Sequence, residues 1–179
     1  MKKTAKYIFV DLDETLIYAT FGGVSRPVVD GTAISCIALP DYKSAAIDFY
    51  RVRLRDGARM LLEELRAIAP ENVRMLTAAT RPYAEAINIL YQFGFRTDEI
   101  YSREDMQSDK LIASEKMPVG DVYLIDNLPR YENRIKIDYL RGIAEGDIRY
   151  IKVGEYFGDV ESDFAFGDIQ GILDAINRK

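Results

Sequence analysis

Apolar positions along this chain follow two rhythms. Tyr7-Ile8-Phe9-Val10, Val73 to Leu76 and Val122 to Ile125 are short, nearly continuous apolar runs. Such runs predict strands buried on both faces. Between them the apolar positions recur every three or four residues. Ala58, Leu61, Leu62, Leu65 and Ile68 mark an amphipathic helix capped by Asp56, running to about Ala69 and stopped by Pro70. A second helix follows a Thr80 N-cap, spans about Pro82 to Phe93 and is closed by Gly94. Weaker patterns predict a strand at Glu99 to Tyr101, a short helix at Asp109 to Lys116, a polar helix at Tyr131 to Tyr139, a strand at Ile148 to Val153 and a last helix at Asp168 to Asn177. Strands alternating with helices predict an α/β protein, a parallel sheet flanked by helices with right-handed crossovers. No repeat or linker divides residues 1–179, so the reading is one domain.

Residues 17 to 45 break both rhythms. They read as irregular, punctuated by Gly22-Gly23, Arg26-Pro27 and Asp30-Gly31, with short β-prone pieces at Val28-Val29 and Ile34 to Leu39. Residues 47 to 54 alternate in part like a strand. The segment 17–54 is therefore expected to be a flap of one or two hairpins above the end of the first strand. Arg51, Arg53 and Arg55 share a face of it by period two, either as a solvated face or as a basic rim for an anionic substrate.

Polarity changes abruptly where the buried runs end. The first meets Asp11-Leu12-Asp13-Glu14-Thr15, the second Thr77-Ala78-Ala79-Thr80, and the third Asp126-Asn127. In a parallel sheet these ends share one edge, where ligands of open α/β folds sit. Carboxylates at a buried strand end are costly unless a cation or a reaction needs them. A carboxylate cluster with an amide is a hard-oxygen site suited to Mg²⁺.

Composition narrows the chemistry. The chain has no histidine and one cysteine, Cys36, which removes Ser-His and Cys-His nucleophile pairs and a cysteine-built zinc site. A net charge of -5 argues against a general nucleic-acid binder. Lys2-Lys3 imitates a secretory leader, but the apolar run behind it is too short, and no run is long enough to cross a membrane, so a cytoplasmic protein is expected.

Asp11-Leu12-Asp13-Glu14-Thr15-Leu16, Thr77-Ala78-Ala79, Asp126-Asn127-Leu128-Pro129 and the helix entry at Arg55-Asp56-Gly57-Ala58 together resemble the haloacid-dehalogenase superfamily of phosphatases. The match is to the small CTD and NLI-interacting-factor-like branch, and Tyr83 and Lys110 fit that branch's spacing; Lys110 lies sixteen residues before Asp126. Leu128 stands where the branch usually has a small polar residue, and the chain lacks the Trp that often follows the last strand. The resemblance implies a Rossmann-like fold of this superfamily with a small hairpin flap and no large cap. It implies Asp11 as nucleophile, Asp13 as general acid and base, Thr77 on a phosphoryl oxygen, and Lys110, with Lys116 as competitor, neutralising charge. Mg²⁺ would be held by Asp11, the Asp13 main chain, Asp126 and Asn127. Tyr83 and Arg103, with Arg51 and Arg53 on the flap, are candidate substrate contacts. An uncapped site suits a phosphorylated macromolecule, with phosphoserine or phosphothreonine protein favoured and a polynucleotide 3′-phosphate as the alternative. A non-catalytic receiver-like module is the reading from another class, although the free Asp13 is superfluous to it.

Overall fold

A computed structural model describes residues 5–21, 36–38, 44–47, 50–107, 120–128, 134–145, 147–159 and 161–178. Five strands, β1 (Ala5–Val10), β6 (Val73–Leu76), β7 (Ile100–Tyr101), β8 (Gly120–Asp126) and β9 (Ile148–Lys152), form a parallel sheet in the order β7-β6-β1-β8-β9. Helices α1 (Ala58–Ile68), α2 (Arg81–Leu90), α3 (Arg103–Met106), α4 (Arg134–Ile143) and α5 (Phe166–Asn177) flank it. The architecture is the expected α/β fold with helices on both faces. Alternation along β1 divides the core in two. Ile8 and Val10 pack with Leu61, Leu65, Ile87 and Ile172 on one side, while Tyr7 and Phe9 pack with Met106, Ile137, Leu140 and Ile143 on the other. Among the described residues no helix is long and apolar enough to cross a membrane.

The chain runs from β1 outward through β6 to β7, then returns to the other side of β1 for β8 and β9. The sheet order therefore switches direction between β1 and β8, where a crevice opens beyond the strand ends. Asp11 and Asp126 stand on its two sides.

Between β1 and α1 lies a second, antiparallel sheet: β2 (Ile17–Phe21), β3 (Cys36–Ala38), β4 (Ser44–Ile47) and β5 (Tyr50–Leu54), in the order β2-β5-β4-β3. The hairpin flap is thus present, and it takes in residues 17–21, which local pattern had left irregular. Ile17 and Val52 are buried in the main core, and Tyr91 Oη donates to the Val52 carbonyl at 3.1 Å. That tertiary packing, absent from any local pattern, makes the segment a strand.

Several helix termini differ from expectation; α4, expected to end at Tyr139, runs on to Ile143 with Leu140 and Ile143 buried. The N-cap of α1 is Gly57, not Asp56. The Asp56 amide is taken by Asp163 Oδ1 at 2.8 Å, and Gly57 turns the chain at φ +80°, where a Cβ would meet Phe164 Cβ at 2.8 Å. Helix α2 stops at Leu90 rather than Phe93, because Gln92 is left-handed at φ +53° and the Asn88 side chain clamps both main-chain groups of Phe95 at 2.8 and 3.0 Å. Phe93 and Phe95 are thereby turned into the core. Thr80 is the N-cap residue of α2, but its hydroxyl makes no capping bond; the Arg81 amide is satisfied by Glu104 Oε2 at 3.0 Å instead. The helix expected at 109–116 lies outside the described residues.

Asp105 ties α2 to α3. One of its oxygens accepts from Arg81 Nη2 at 2.5 Å, the Ser102 amide at 2.7 Å and the Ser102 hydroxyl at 2.8 Å. Burial works to raise this carboxyl, but the Arg81 and Ser102 hydrogen bonds outweigh it and hold it below its ordinary value of 3.8. Its stabilising contribution is therefore complete above pH 3.8 and is lost as pH falls through the lower folded-state value. Asp105→Asn is expected to cost about 1 to 3 kcal/mol at neutral pH. The gap in melting temperature between the two proteins should narrow below pH 3.8.

Candidate active site

The first strand ends in a tight turn wrapped around one carbonyl. The Leu12 oxygen accepts from the amides of Thr15, Leu16 and Ile17 at 3.4, 2.8 and 3.1 Å, and Glu14 sits at φ +54° to make this possible. Leu12 points into the core, which leaves Asp11 and Asp13 for the polar side. The turn is held from outside by Arg55, only 4% exposed, whose Nη1 donates to the carbonyls of Thr15 at 3.1 Å and Gly154 at 2.8 Å. The guanidinium also stacks 3.7 Å from the Phe164 ring centre. The Tyr156 amide donates to the Glu14 carbonyl at 2.8 Å, closing the turn against the segment after β9.

Asp11 continues the β1–β8 ladder, its amide bonding the Ile125 carbonyl at 3.0 Å, so it faces Asp126 across the crevice. Between the two carboxylates stands Lys136 of α4. Its Nζ lies 2.5 Å from Asp11 Oδ1 and 2.7 Å from Asp126 Oδ2, and all three side chains are nearly inaccessible to solvent. The remaining oxygens are engaged too: Thr15 Oγ1 donates to Asp11 Oδ2 at 3.3 Å, and the Leu128 amide to Asp126 Oδ1 at 2.9 Å. Burial pushes Asp11 up to about 7, with the Lys136 ammonium opposing and Asp126 adding to the rise. Burial would lower Lys136, but Asp11 and Asp126 outweigh it and hold the ammonium above its ordinary value.

Asp13 points toward α2. Tyr83 Oη donates to its Oδ1 at 2.9 Å, and the Thr77 hydroxyl also bonds its carboxyl. Burial raises Asp13 despite these bonds and the attraction of Lys136. Tyr83 is itself braced edge-on by Tyr50 at 5.8 Å. A cavity of about 430 Å³ opens here, lined by Asp13, Glu14, Tyr50, Ala79, Tyr83 and Arg103 among others. A larger cavity of about 850 Å³ lies elsewhere, between β9, the segment after it and α5; none of Asp11, Asp13 and Asp126 lines it. Of these three acids only Asp13 lines the smaller cavity, beside Glu14.

A sequence model of the NLI interacting factor-like phosphatases matches residues 6–177. The chain belongs to this family. It is also similar to two solved structures of Fcp1, an RNA polymerase II CTD phosphatase. One, described as essential, shares 18% identity over 95% of this chain at a TM-score of 0.51. The other, from fission yeast and bound to beryllium fluoride, shares 18% identity over 95% of this chain at a TM-score of 0.49. The chain spans about half the length of each, 47% and 49%. No match was found among curated proteins.

Within this phosphatase fold, Asp11, Asp126 and Lys136 meet in the crevice, and Asp13, Thr77 and Tyr83 meet beside it. Arg103 lines the same cavity as Asp13 and donates from Nε to the Ala78 carbonyl at 2.7 Å. Arg51 and Arg53 are not brought to that cavity. They lie on the opposite face of β5 from Tyr50 and line a separate cavity of about 230 Å³ with Tyr18, Thr20, Phe157 and Gly158. Lys110 and Lys116 lie outside the described residues. Lys136 is the residue that sequence reasoning missed; Arg55, expected on the flap's arginine face, is instead buried as a clamp on the turn. Lys136 shares the buried face of α4 with Tyr139, Leu140 and Ile143, at spacings of three, four and seven, so a lysine on an apolar helix stripe was the available signal.

Phosphatases of this type are generally metal-dependent. Among the described residues no three His, Cys, Asp or Glu side chains converge as a metal cage. The donors are instead two carboxylates and the Asn127 amide, whose Oδ1 and Nδ2 are buried without a hydrogen-bond partner among the described residues. A buried amide oxygen without a partner, next in the chain to one of the two crevice carboxylates, is the kind of donor that a hard cation satisfies, and in that sense the residues fit one.

Arg55 supplies the test of the turn. Arg55→Leu strands two carbonyls and is expected to cost about 2 to 3 kcal/mol in a denaturation measurement. Arg55→Lys should recover only part of this, since an ammonium can bond carbonyls but lacks the planar face that stacks on Phe164.

Proposed function

We propose that this chain hydrolyses phosphomonoesters through an aspartyl-phosphate formed on Asp11, with phosphoserine or phosphothreonine in protein as the substrate. The observation that carries the reading is the different setting of the two acids of one turn. Burial raises both carboxyls, but Asp11 has the Lys136 ammonium directly against one oxygen, which favours its ionised, nucleophilic form. Asp13 is burial-shifted upward and oriented by Tyr83 and Thr77, as a proton donor must be. In the first step an Asp11 oxygen attacks phosphorus, the ester P–O bond breaks, and Asp13 gives its proton to the leaving oxygen. In the second, Asp13 takes a proton from water, whose oxygen attacks the phosphoryl group and releases Asp11 and inorganic phosphate. Thr77 and a lysine stabilise the phosphoryl oxygens. Lys136 is the lysine already beside Asp11.

Asp11, Asp126, Asn127 and the Asp13 main chain would hold the metal, for which Mg²⁺ is proposed because the donors are hard oxygens. When bound, it supplies positive charge to the phosphoryl oxygens as negative charge builds on them. The phosphoprotein assignment rests on the substrate cavity. It is rimmed by Tyr50, Tyr83 and Arg103, and among the described residues the flap sheet is the one insertion into the α/β fold that borders it, which suits an extended chain. Arg103 is the one arginine among the described residues lining it, and a nucleic-acid end would call for more. Fcp1 is named as a phosphatase of a protein segment, the same substrate class.

The reading is tested by turnover of p-nitrophenyl phosphate, phosphopeptides and 3′-phosphorylated oligonucleotides, each with Mg²⁺ and with a chelator. Phosphopeptide turnover restored by Mg²⁺ is expected. Asp11→Asn should abolish turnover of all substrates while leaving a folded protein, and an active, folded Asp11→Asn protein would refute the mechanism.

Tyr83→Phe should lower kcat on phosphoserine peptides roughly tenfold, the worth of one hydrogen bond, with little change in KM. The loss should be smaller on p-nitrophenyl phosphate, whose leaving group needs less protonation. Equal losses on both would mean that Tyr83 does not act through Asp13.

A further inference from the structure

The flap carries polar chemistry on both of its faces. Ala19 and Tyr50 line the cavity of Asp13, while their chain neighbours Tyr18, Thr20, Arg51 and Arg53 line the separate cavity of about 230 Å³ on the other face. Thr20 stands opposite Arg51 and Tyr18 opposite Arg53 in the β2–β5 ladder, so two hydroxyl side chains and two guanidiniums share that face. The facing wall comes from the segment after β9, as Phe157 and Gly158. Gly158 is left-handed at φ +79°, and a Cβ there would meet the Tyr18 ring at 2.6 Å, so glycine is what lets this wall close on the flap. Although the chain has a net charge of -5, no acid is among the described residues lining the cavity. Asp159 follows Gly158 in the chain; Ser162 above all, with Arg53 assisting, holds its carboxyl below the ordinary value. Ser162 occupies Asp159 Oδ1 through its amide at 2.8 Å and its hydroxyl at 2.6 Å. Arg53 reaches the Tyr156 phenol, yet its Nε is buried with no hydrogen-bond acceptor among the described residues. A buried guanidinium donor of this kind calls for an acceptor.

We propose that this cavity is a second phosphate site, which holds one phosphorylated side chain of a protein substrate while another lies at Asp11. The proposal deepens the phosphatase reading and rests on it for the group at Asp11, but binding at the second site is independent of turnover. Charge selects the ligand. A phosphate monoester carries close to two negative charges at neutral pH and three strong acceptor oxygens, which two guanidiniums and two hydroxyls match. A carboxylate carries half that charge and has one arginine too many beside it. Size agrees with a group and not a whole metabolite, since 230 Å³ lies below the roughly 300–1,000 Å³ of pockets that enclose a small molecule. Phe157, exposed at the wall, offers apolar surface to the side chain next to the phosphorylated one. Placement sets the spacing. The two cavities lie on opposite faces of the β2–β5 pair, and β2 is an edge strand of the flap sheet. A chain passing round that edge covers roughly 20 Å, about six extended residues.

The experiment labels the wild-type chain with ¹⁵N-arginine and follows the Nε–H resonances as inorganic phosphate is added at constant ionic strength. Arg51 and Arg53 should move together on one saturating curve, separate from that of Arg103 at the Asp13 cavity. Arg51→Gln, at an exposed position, should weaken the Arg53 curve roughly tenfold, the worth of one charge-assisted hydrogen bond. Phosphoserine peptides, titrated with a chelator present, separate a carried phosphoryl group from a free one. A peptide with two phosphoserines about six residues apart should bind the wild-type chain more tightly than its singly phosphorylated counterpart, and Arg51→Gln should remove the difference. Arg51 and Arg53 resonances that ignore phosphate, a doubly phosphorylated peptide with no advantage, or an advantage that survives Arg51→Gln would each overturn the proposal. Failure of the phosphatase reading shows separately, as absent turnover of every peptide with these titrations intact.

Discussion

Two carboxylates facing each other across adjacent parallel strands cannot both be ionised in a dry crevice without a cation between them. In this protein that constraint links the sheet to its outer helix layer. Asp11 and Asp126 come from the ends of β1 and β8, and the cation comes from α4, the crossover that follows β8. The placement of α4 is therefore tied to the charge balance of the crevice as well as to the burial of Ile137, Leu140 and Ile143. The same helix packs one face of the sheet and neutralises its edge.

The turn after β1 meets a second constraint. It must present Asp11 and Asp13 to one side while driving Leu12 into the core, within a few residues of a strand end. It does so with a left-handed Glu14 and a carbonyl shared among three amides. Such geometry is costly by itself and persists where neighbours over-determine it. Here Arg55 grips it from β5 and the segment after β9 grips it from the other side, through Gly154 and Tyr156. Flap, catalytic turn and C-terminal segment are thereby one mechanical unit. Arg55 thus bears on the setting of Asp11 and Asp13 through the main chain of the turn.

The two acids of the turn differ by their surroundings and not by their chemistry. Asp11 faces an ammonium across the crevice, while Asp13 faces a phenol and a hydroxyl beside the open cavity. Burial raises both carboxyls; what differs is the partner, an ammonium in contact with Asp11 and a phenol that orients Asp13. Tyr83 in turn depends on Tyr50 of the flap sheet, so the setting of Asp13 reaches back to the strand that also carries Arg55 into place.

Much of this was legible in the chain itself. Buried parallel strands announce themselves as short apolar runs, and the acids that end them mark the functional edge without any knowledge of packing; Asp11, Asp13, Thr77, Asp126 and Asn127 were all readable in this way. Tyr83 came only from the resemblance to the phosphatase branch. Two kinds of feature were not legible. Residues 17–21 and the Gly57 cap depend on partners distant in sequence, Val52 and its neighbours in one case and Asp163 and Phe164 in the other. Lys136 and Arg55 are charged residues whose identity suggests solvent, and only a counter-charge or a carbonyl brought from another element makes their burial favourable. Local sequence determines which segments must be hidden and where polarity interrupts them. Which charge is buried against which is a property of pairs, and it is decided only when the sheet edge closes.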